Sequence, residues 1–159
     1  MKIGIIRADR MGDMILTLPI IKSIKISNPN ALIHVFCSEK NFKIIKNFKY
    51  IDKIYNIDKS FNANNKEKYD YILKLSPGWR SFFKLLLLKS SNKANILHTS
   101  RYKKKYSKIY MNIISKILFK YTLLINRVDR FKKNITIHQT EVMFELLTIC
   151  KIKFNSEIL

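Results

Sequence analysis

The stretch MKIGIIRADRMGDMILTLPIIKSIK, residues 1–25, decides the fold of this chain. Its first part, Ile3–Ile6, is a short apolar run typical of a buried β-strand. Apolar residues then recur at helical spacing, which predicts a core-facing helix: Leu16, Ile20, Ile21 and Ile24. The pair Gly12-Asp13 lies between strand and helix, where open parallel sheets bind their ligands.

Pro19 lies within this predicted helix, and a proline ring is incompatible with a regular helix interior. Regular helix therefore begins near Leu18, or the first turns are kinked, and the sequence leaves both arrangements open. The helix is predicted to end before Asn28-Pro29, because proline cannot continue it.

Beyond residue 30, short apolar runs alternate with helical patterns, which is typical of an α/β layered domain. The predicted strands are 31–37, 53–57, 70–75 and 94–98, and the predicted helices are 39–48, 79–89, 106–125 and 137–151. Thr136 and Gln139 have the spacing of a capping box before the last helix. The pattern predicts a Rossmann-like, mostly parallel sheet with helices on both faces, formed by one domain over 1–152.

The predicted helix 106–125 has apolar residues on one side and mostly lysine and other polar residues on the opposite side. The apolar side is formed by Ile109, Tyr110, Ile113, Ile114, Ile117, Leu118, Tyr121, Leu124 and Ile125. This pattern predicts that the apolar side faces the core and the lysine side faces solvent. The alternative is that the basic side contacts an anionic membrane.

The chain is strongly basic, with 31 Lys and Arg against 11 Asp and Glu and a formal net charge of +20. This excess favours anionic partners: nucleic acid, lipid headgroups or phosphorylated saccharide. Lysines spread over a solvated surface would explain the same composition without a partner. Cys37 and Cys150 lack the spacing of a metal site or a disulfide framework, so we predict no metal or cofactor and a reduced, cytoplasmic setting.

The chain has three glycines, Gly4, Gly12 and Gly78. Neither a dinucleotide-binding fingerprint nor the phosphate-binding loop of kinases and GTPases can form from them. Gly12 lets a ligand approach the backbone closely, and the carboxylate of Asp13 can serve as a general base. The alternative is that Asp13 is the N-cap of the helix that follows, and residue type alone leaves both roles open.

The stretch IIRADRMGDMILTLPIIKSIKISNPNALIHVFC, residues 5–37, strongly resembles the amino terminus of glycosyltransferase family 9, the ADP-heptose lipopolysaccharide heptosyltransferases. Three further segments resemble the family in the same order: YDYILKLSPGWRS (69–81), RYKKKYS (101–107) and HQTEVMFELLTICKI (138–152). The specific signature is GD-x-x-x-TLP, here residues 12–19.

This resemblance implies a GT-B architecture, in which two Rossmann-like domains face each other across a cleft. Residues 1–152 correspond to the acceptor-binding domain and 153–159 to the start of the interdomain linker, while the C-terminal donor domain has no counterpart in this sequence. The family transfers a heptose from a nucleotide sugar, ADP-heptose, to the anionic lipopolysaccharide core with inversion. The resemblance therefore implies such a transfer to this core or a related glycan, and inactivity without a donor domain.

Carried over residue by residue, the resemblance implies that Asp13 removes the proton of the acceptor hydroxyl. Met11 and Gly12 would line the cleft beside the donor phosphates through backbone contacts. The residues expected to bind the acceptor are Arg10, Arg80, Lys103, Lys104 and Lys105.

Several of these residues have an alternative role. Arg80 suits an acceptor phosphate or carboxylate because of its planar fork, and it can equally lie in water at a helix start. Trp79 can stack on a sugar ring, although core packing beside Phe82 is the favoured interpretation. Lys74 departs from the family, since many relatives have an acidic or amide residue there.

Two other functions stay open. A nucleic-acid-binding module would explain the basic charge and leave the Gly12-Asp13 crevice without a role. A non-catalytic scaffold would bind saccharide or membrane without transfer. The resemblance favours the glycosyltransferase, located in the cytoplasm or peripherally on the inner face of the inner membrane.

Overall fold

The structure is a computed structural model that describes residues 1–59, 67–76, 81–82, 86–98, 105–125 and 138–158. Its elements, in chain order, are β1 (Lys2–Arg7), α1 (Met11–Ile15), α2 (Leu18–Ser27), β2 (Leu32–Cys37), α3 (Glu39–Ile45), β3 (Lys53–Asn56), β4 (Lys68–Lys74), β5 (Lys89–His98), α4 (Lys105–Leu118), β6 (Tyr121–Ile125), α5 (Gln139–Ile149) and a short 3-10 helix (Ser156–Ile158). None of the described helices has the length and hydropathy needed to cross a membrane.

Six strands form one sheet in the order β3-β2-β1-β4-β5-β6. Each neighbouring pair is parallel. The strand order reverses at β1, which lies between β2 and β4, so the loops that follow β1 and β4 open a crevice at the carboxyl end of the sheet. The predicted α/β class with a parallel sheet is confirmed.

The side chains of β1 alternate between two hydrophobic cores, one on each face of the sheet. Ile3 and Ile5 belong to the first core, which also holds the buried residues of α2, α3 and α5. Ile6 belongs to the second core, together with Phe36 and the α4 residue Met111. Helices therefore cover both faces of the sheet, as the sequence predicts.

Helix α2 begins at Leu18, and Pro19 lies in its first turn. An N–H at this position would have no partner within the helix, so proline is tolerated there. Of the two arrangements that the sequence leaves open, regular helix from Leu18 is therefore the one that forms.

The prediction of one helix over 106–125 is wrong in its second half. Helix α4 ends at Leu118, and Tyr121–Ile125 form β6, which pairs with β5. Burial along β6 follows the two-residue period of a strand, because Leu123 and Ile125 are buried whereas Leu124 is exposed. A short, dense apolar run fits either period, and pairing with β5 favours the strand.

Helix α4 also faces the opposite way from the prediction. Among its described side chains, Met111 and Ser115 are buried, and so is Phe119, the residue after its end. Leu118 of the predicted apolar side is exposed (39%), and Ile114 is partly buried against the second core. Five other exposed residues share one side of the helix: Tyr106 (84%), Ile109 (49%), Tyr110 (64%), Ile113 (52%) and Ile117 (75%). We call these five residues the outer stripe of α4.

The sheet surface on the side of the second core is partly polar. Lys74 in β4 is buried, and its Nζ donates a hydrogen bond of 3.0 Å to Oδ1 of Asn95 in β5. By strand alternation these two residues share a face with Ile72 and Leu97, which belong to the second core.

Several helix and strand ends differ from the sequence prediction. Lys89 is the first residue of β5, so it is not in the predicted helix 79–89. Helix α3 ends at Ile45, before the predicted end at residue 48. Helix α5 is capped by His138 with Glu141 as the other half of the capping box, so the predicted box of Thr136 and Gln139 is wrong.

The orientation of α4 predicts opposite responses from two nearby positions. Met111→Ala leaves a cavity in the second core and should lower the free energy of unfolding by about 2–5 kcal/mol. Ile113→Ala, in the outer stripe, should change it by less than about 0.5 kcal/mol. Urea unfolding followed by circular dichroism measures both values. A larger loss for Ile113→Ala than for Met111→Ala would contradict the orientation.

Candidate active site

The candidate site lies where β1 and β4 end, at the reversal of strand order. The backbone N–H of Leu75, one residue beyond β4, donates to the carbonyl oxygen of Ile6 in β1 at 3.1 Å. The two strand ends are thus fixed side by side. Arg7 closes β1, and the chain then passes through residues 8–10 into α1.

Arg7 is the centre of the site, and only 1% of the residue is exposed. Its Nη1 donates a short hydrogen bond to the carbonyl oxygen of Leu75. Its Nη2 lies 3.2 Å from Oδ1 of Asp13, and its Nε lies 3.1 Å from Oδ1 of Asp9. The Nε contact lacks hydrogen-bond geometry and is therefore an electrostatic one. One guanidinium thus joins the end of β4, the loop after β1 and the first turn of α1.

Burial shapes the charges of this cluster. It lowers the pKa of Arg7, and the neighbouring Asp9 and Asp13 oppose that shift. Burial is also the main cause of the raised pKa of Asp9; Arg7 opposes this shift, while the nearby carboxylate of Asp13 adds to it. The guanidinium keeps its charge at ordinary pH, so it is the cation that holds both carboxyl groups at this edge.

Asp13 projects into the open part of the site, with 32% of its side chain exposed. The N-cap residues of α1 and α2 are Arg10 and Thr17, so Asp13 caps neither helix and the N-cap alternative is wrong. Thr17 instead donates through Oγ1 to the carbonyl oxygen of Asp13 at 2.8 Å. The backbone of Asp13 is thereby fixed while its carboxylate faces the crevice.

Helix α1 forms an open wall of the crevice. A Cβ atom added to Gly12 would meet no atom of the described chain within 4 Å. The φ angle of Gly12 is not positive, so the fold does not require glycine at this position. Met11 and Ile15 expose apolar side chains on the same short helix, and Arg10 is exposed at its start. The glycine therefore leaves space where a ligand can approach the backbone.

A side chain from α3 holds the loop after β1. Asn41 is fully buried, and its Nδ2 lies 3.3 Å from the carbonyl oxygens of both Arg7 and Asp9, to which it donates. Sequence reasoning identified Asp13 and Gly12 and missed Arg7, Asp9 and Asn41. The available signal was the charged sequence Arg7-Ala8-Asp9 directly after a buried apolar strand.

The structure does not test the other predicted acceptor-binding residues. Arg80, Lys103 and Lys104 lie outside the described residues. Lys105 is the first residue of α4, and its side chain is likewise outside them. Within the described part of the chain, no group of three or more His, Cys, Asp and Glu residues is arranged to hold a metal ion.

Comparison with known proteins identifies solved structures that have this fold. No protein-family model and no curated protein matches the sequence. A glycosyl transferase family 9 structure from Veillonella parvula matches 96% of the chain with a TM-score of 0.69 and 18% identity. The chain has the fold of family 9 glycosyltransferases. The resemblance that the sequence motifs indicate is confirmed at this level.

Two structures of E. coli heptosyltransferase WaaC match equally well. One contains ADP and the other ADP-2-deoxy-2-fluoro heptose; both have a TM-score of 0.70 over 98% of this chain, at 14% and 13% identity. The chain spans about half the length of these glycosyltransferases: 42% of the Veillonella structure and 49% and 50% of the WaaC structures.

A similar fold also occurs in a protein with different chemistry. An FMN-dependent UbiX-like decarboxylase from E. coli O157:H7 matches 97% of this chain and 97% of its own length, with a TM-score of 0.58 and 10% identity. Fold likeness alone therefore does not select an activity, and the argument for function depends on the residues of the site.

Asp9 gives the site a pH-dependent contribution to stability. Its raised pKa means that the folded protein holds this proton at pH values where the unfolded chain, with a pKa near 3.8, has released it. The contribution is fully present below the unfolded pKa and is lost as the pH rises through the folded pKa. Asp9→Asn cannot ionise, so this variant should lose less stability than the wild-type protein as the pH rises from about 4 through the raised pKa of Asp9.

Urea unfolding at a series of pH values measures this difference. Equal pH dependence of the unfolding free energy in the two proteins would contradict the raised pKa of Asp9.

Proposed function

We propose that this chain is the acceptor-side domain of an inverting glycosyltransferase in which Asp13 is the general base. The observation that carries the proposal is the carboxylate of Asp13, held by the buried Arg7 at the crevice of the sheet. The fold likeness to heptosyltransferases supports the same reading, because the matched structures bind a nucleotide or a nucleotide sugar.

Asp13 would act on the acceptor hydroxyl. Its carboxylate takes the proton as the hydroxyl oxygen forms a bond to the anomeric carbon of the donor sugar. The bond from that carbon to the phosphate oxygen breaks, and the nucleoside diphosphate leaves with the electron pair. Attack from the face opposite the leaving group inverts the anomeric configuration.

Arg7 and Asp9 act on this step through Asp13 and are positioning residues. Arg7 engages Oδ1 of Asp13, which directs the carboxylate away from the core and toward the crevice. Asp9 lies 3.1 Å from another nitrogen of the same guanidinium and adds an electrostatic contact to it. A base held in this way loses little conformational freedom when the acceptor arrives, which favours a reactive geometry.

The donor is proposed to be a nucleotide sugar of the ADP-heptose type. Its phosphates would lie over Met11 and Gly12, where the structure leaves space beside the α1 backbone. A second, nucleotide-sugar-binding domain, in the same polypeptide or in a partner, would close the cleft over the 159 residues described by this sequence. Closure excludes water and strengthens the electrostatic contacts of the site.

The acceptor is proposed to be an anionic glycan such as a lipopolysaccharide core. Arg10 is exposed at the start of α1, next to the base, and suits a phosphate or carboxylate of the acceptor. Arg80 and Lys103, Lys104 and Lys105 remain predicted contributors to the same binding. The excess of basic residues in the chain would draw such an acceptor toward the crevice.

Asp13→Asn tests the assignment in the chain combined with its donor-binding domain. Transfer from a nucleotide sugar should fall by about 10²–10⁴-fold in kcat, because the amide cannot accept the proton. The far-ultraviolet circular dichroism spectrum should be unchanged, since the substitution keeps the size of the side chain. Product formation with ADP-heptose and a lipopolysaccharide core acceptor is the measurement.

Asp70→Asn is the matched control. Asp70 accepts a hydrogen bond from the backbone N–H of Lys2 at the amino-terminal end of β1, away from the candidate site. The variant Asp70→Asn should therefore retain full transfer activity. Full activity of Asp13→Asn would overturn the assignment of the base. Binding of the acceptor by the wild-type pair of domains without any transfer would identify a non-catalytic scaffold instead.

A further inference from the structure

The outer stripe of α4 is an apolar surface that neither core of the domain uses. Its five residues, at positions 106, 109, 110, 113 and 117, lie on one side of a helix of 14 residues. Such a helix is about 21 Å long. Met111, on the opposite side of α4, and Phe119, the residue after its end, pack into the second core. The stripe therefore faces away from the sheet and does not form part of the Asp13 crevice.

The charge of the surrounding sequence is almost entirely positive. Between Asp70 and Glu141 the chain has sixteen Lys and Arg residues and one acidic residue, Asp129. Five of the basic residues fall in the run that leads into α4 and forms its first turn, 101–108. Lys116 and Lys120 are exposed at the other end of α4, and Lys116 lies one turn from Ile113.

We propose that the outer stripe of α4 binds the surface of an anionic lipid bilayer. Isoleucine side chains on one helix face, with lysines beside them, match the pattern of helices that lie in the plane of the membrane interface. Tyr106 and Tyr110 carry an apolar ring and a polar hydroxyl, a combination that favours the headgroup level. Clustered basic residues next to such a helix add attraction to anionic headgroups.

Charge and chemistry favour a bilayer over other occupants of this surface. A second copy of the chain would bring two strongly basic segments together, which like-charge repulsion opposes. A nucleic acid would pair with the lysines but would leave the isoleucines without apolar partners, because its affinity comes mainly from phosphate contacts. An anionic bilayer offers apolar partners to the stripe and negatively charged headgroups to the lysines.

This inference is independent of the proposed transfer reaction, because vesicle binding needs neither donor nor acceptor. If the transfer reaction were disproved, the membrane-binding proposal would be unaffected, and the reverse also holds. Together they describe a domain held peripherally at a membrane, which agrees with the predicted location on the inner face of the inner membrane.

A fluorescent label on the stripe tests the proposal directly. Ile113→Cys places a thiol in the outer stripe, and Ile26→Cys places one at an exposed position of α2, on the other face of the sheet. The native Cys37 and Cys150 are buried, and burial raises the pKa of each thiol to about 12, so a maleimide dye reacts with the introduced cysteine.

Nitrobenzoxadiazole at residue 113 should brighten at least about twofold and shift to the blue with vesicles of phosphatidylcholine and phosphatidylglycerol mixed about 2:1. The response should be weak with phosphatidylcholine alone and should fall as NaCl rises from about 0.1 M to 0.5 M. The label at residue 26 should not respond. An equal response at residue 26, or none at residue 113, would overturn the proposal.

Vesicle flotation of unlabelled protein provides the second measurement. The double variant Ile113→Glu/Ile117→Glu should bind at least about tenfold more weakly than wild type. The exposed pair Ile26→Glu/Ile149→Glu, on α2 and α5, is the matched control and should bind as wild type does. Circular dichroism checks the fold of both variants.

Three results would contradict a bilayer-binding stripe. Wild-type binding by Ile113→Glu/Ile117→Glu would assign the affinity to lysines elsewhere. Binding of generic RNA in place of vesicles would favour a nucleic-acid module. A label response at residue 113 that grows with protein concentration in the absence of lipid would identify a second copy of the chain as the occupant.

Discussion

A guanidinium buried at the end of β1 is the interaction on which the candidate site depends. Removing Arg7 from water costs several kcal/mol, and the fold offsets this with partners on its three nitrogens. These partners are the carbonyl oxygen of Leu75 and the carboxylates of Asp9 and Asp13. These partners come from the residue after β4, from the loop after β1 and from α1. The buried charge of Arg7 therefore joins the three segments that form the crevice.

A second buried cation lies on the face of the sheet that α4 covers. Lys74 is one register step from Arg7 on the neighbouring strand, and strand alternation places the two on opposite faces of the sheet. Lys74 and Asn95 make the sheet surface on this side partly polar, and α4 packs on the same side through Met111 of the second core. The outer stripe of α4 lies outside both cores, where it forms the surface proposed to bind lipid. The basic composition of this chain therefore acts inside the fold as well as on its surface.

The sequence predicts the elements whose signals are local. β1, α2 and β2 follow from short-range apolar periodicity, and Gly12-Asp13 follows from its place after the first strand. The partnership of Arg7 with Leu75 joins residues 68 positions apart, so no local pattern could reveal it. Helical periodicity identified two sides of α4 but not the side that packs inward, because that depends on residues of other elements, such as Ile6 and Phe36, with which Met111 shares the second core. Arg80 and Lys103 lie outside the described residues and stay predictions.

The central claim is that Arg7 holds the carboxylate of Asp13 in place. A double-mutant cycle measures this directly, with Arg7→Met, Asp13→Asn and the double variant compared by their free energies of unfolding in urea. The ion pair predicts a favourable coupling energy of about 0.5–1.5 kcal/mol, a modest value because Asp13 is partly exposed. Additive effects, with coupling below about 0.3 kcal/mol, would contradict the claim and leave Asp13 without the contact that positions it.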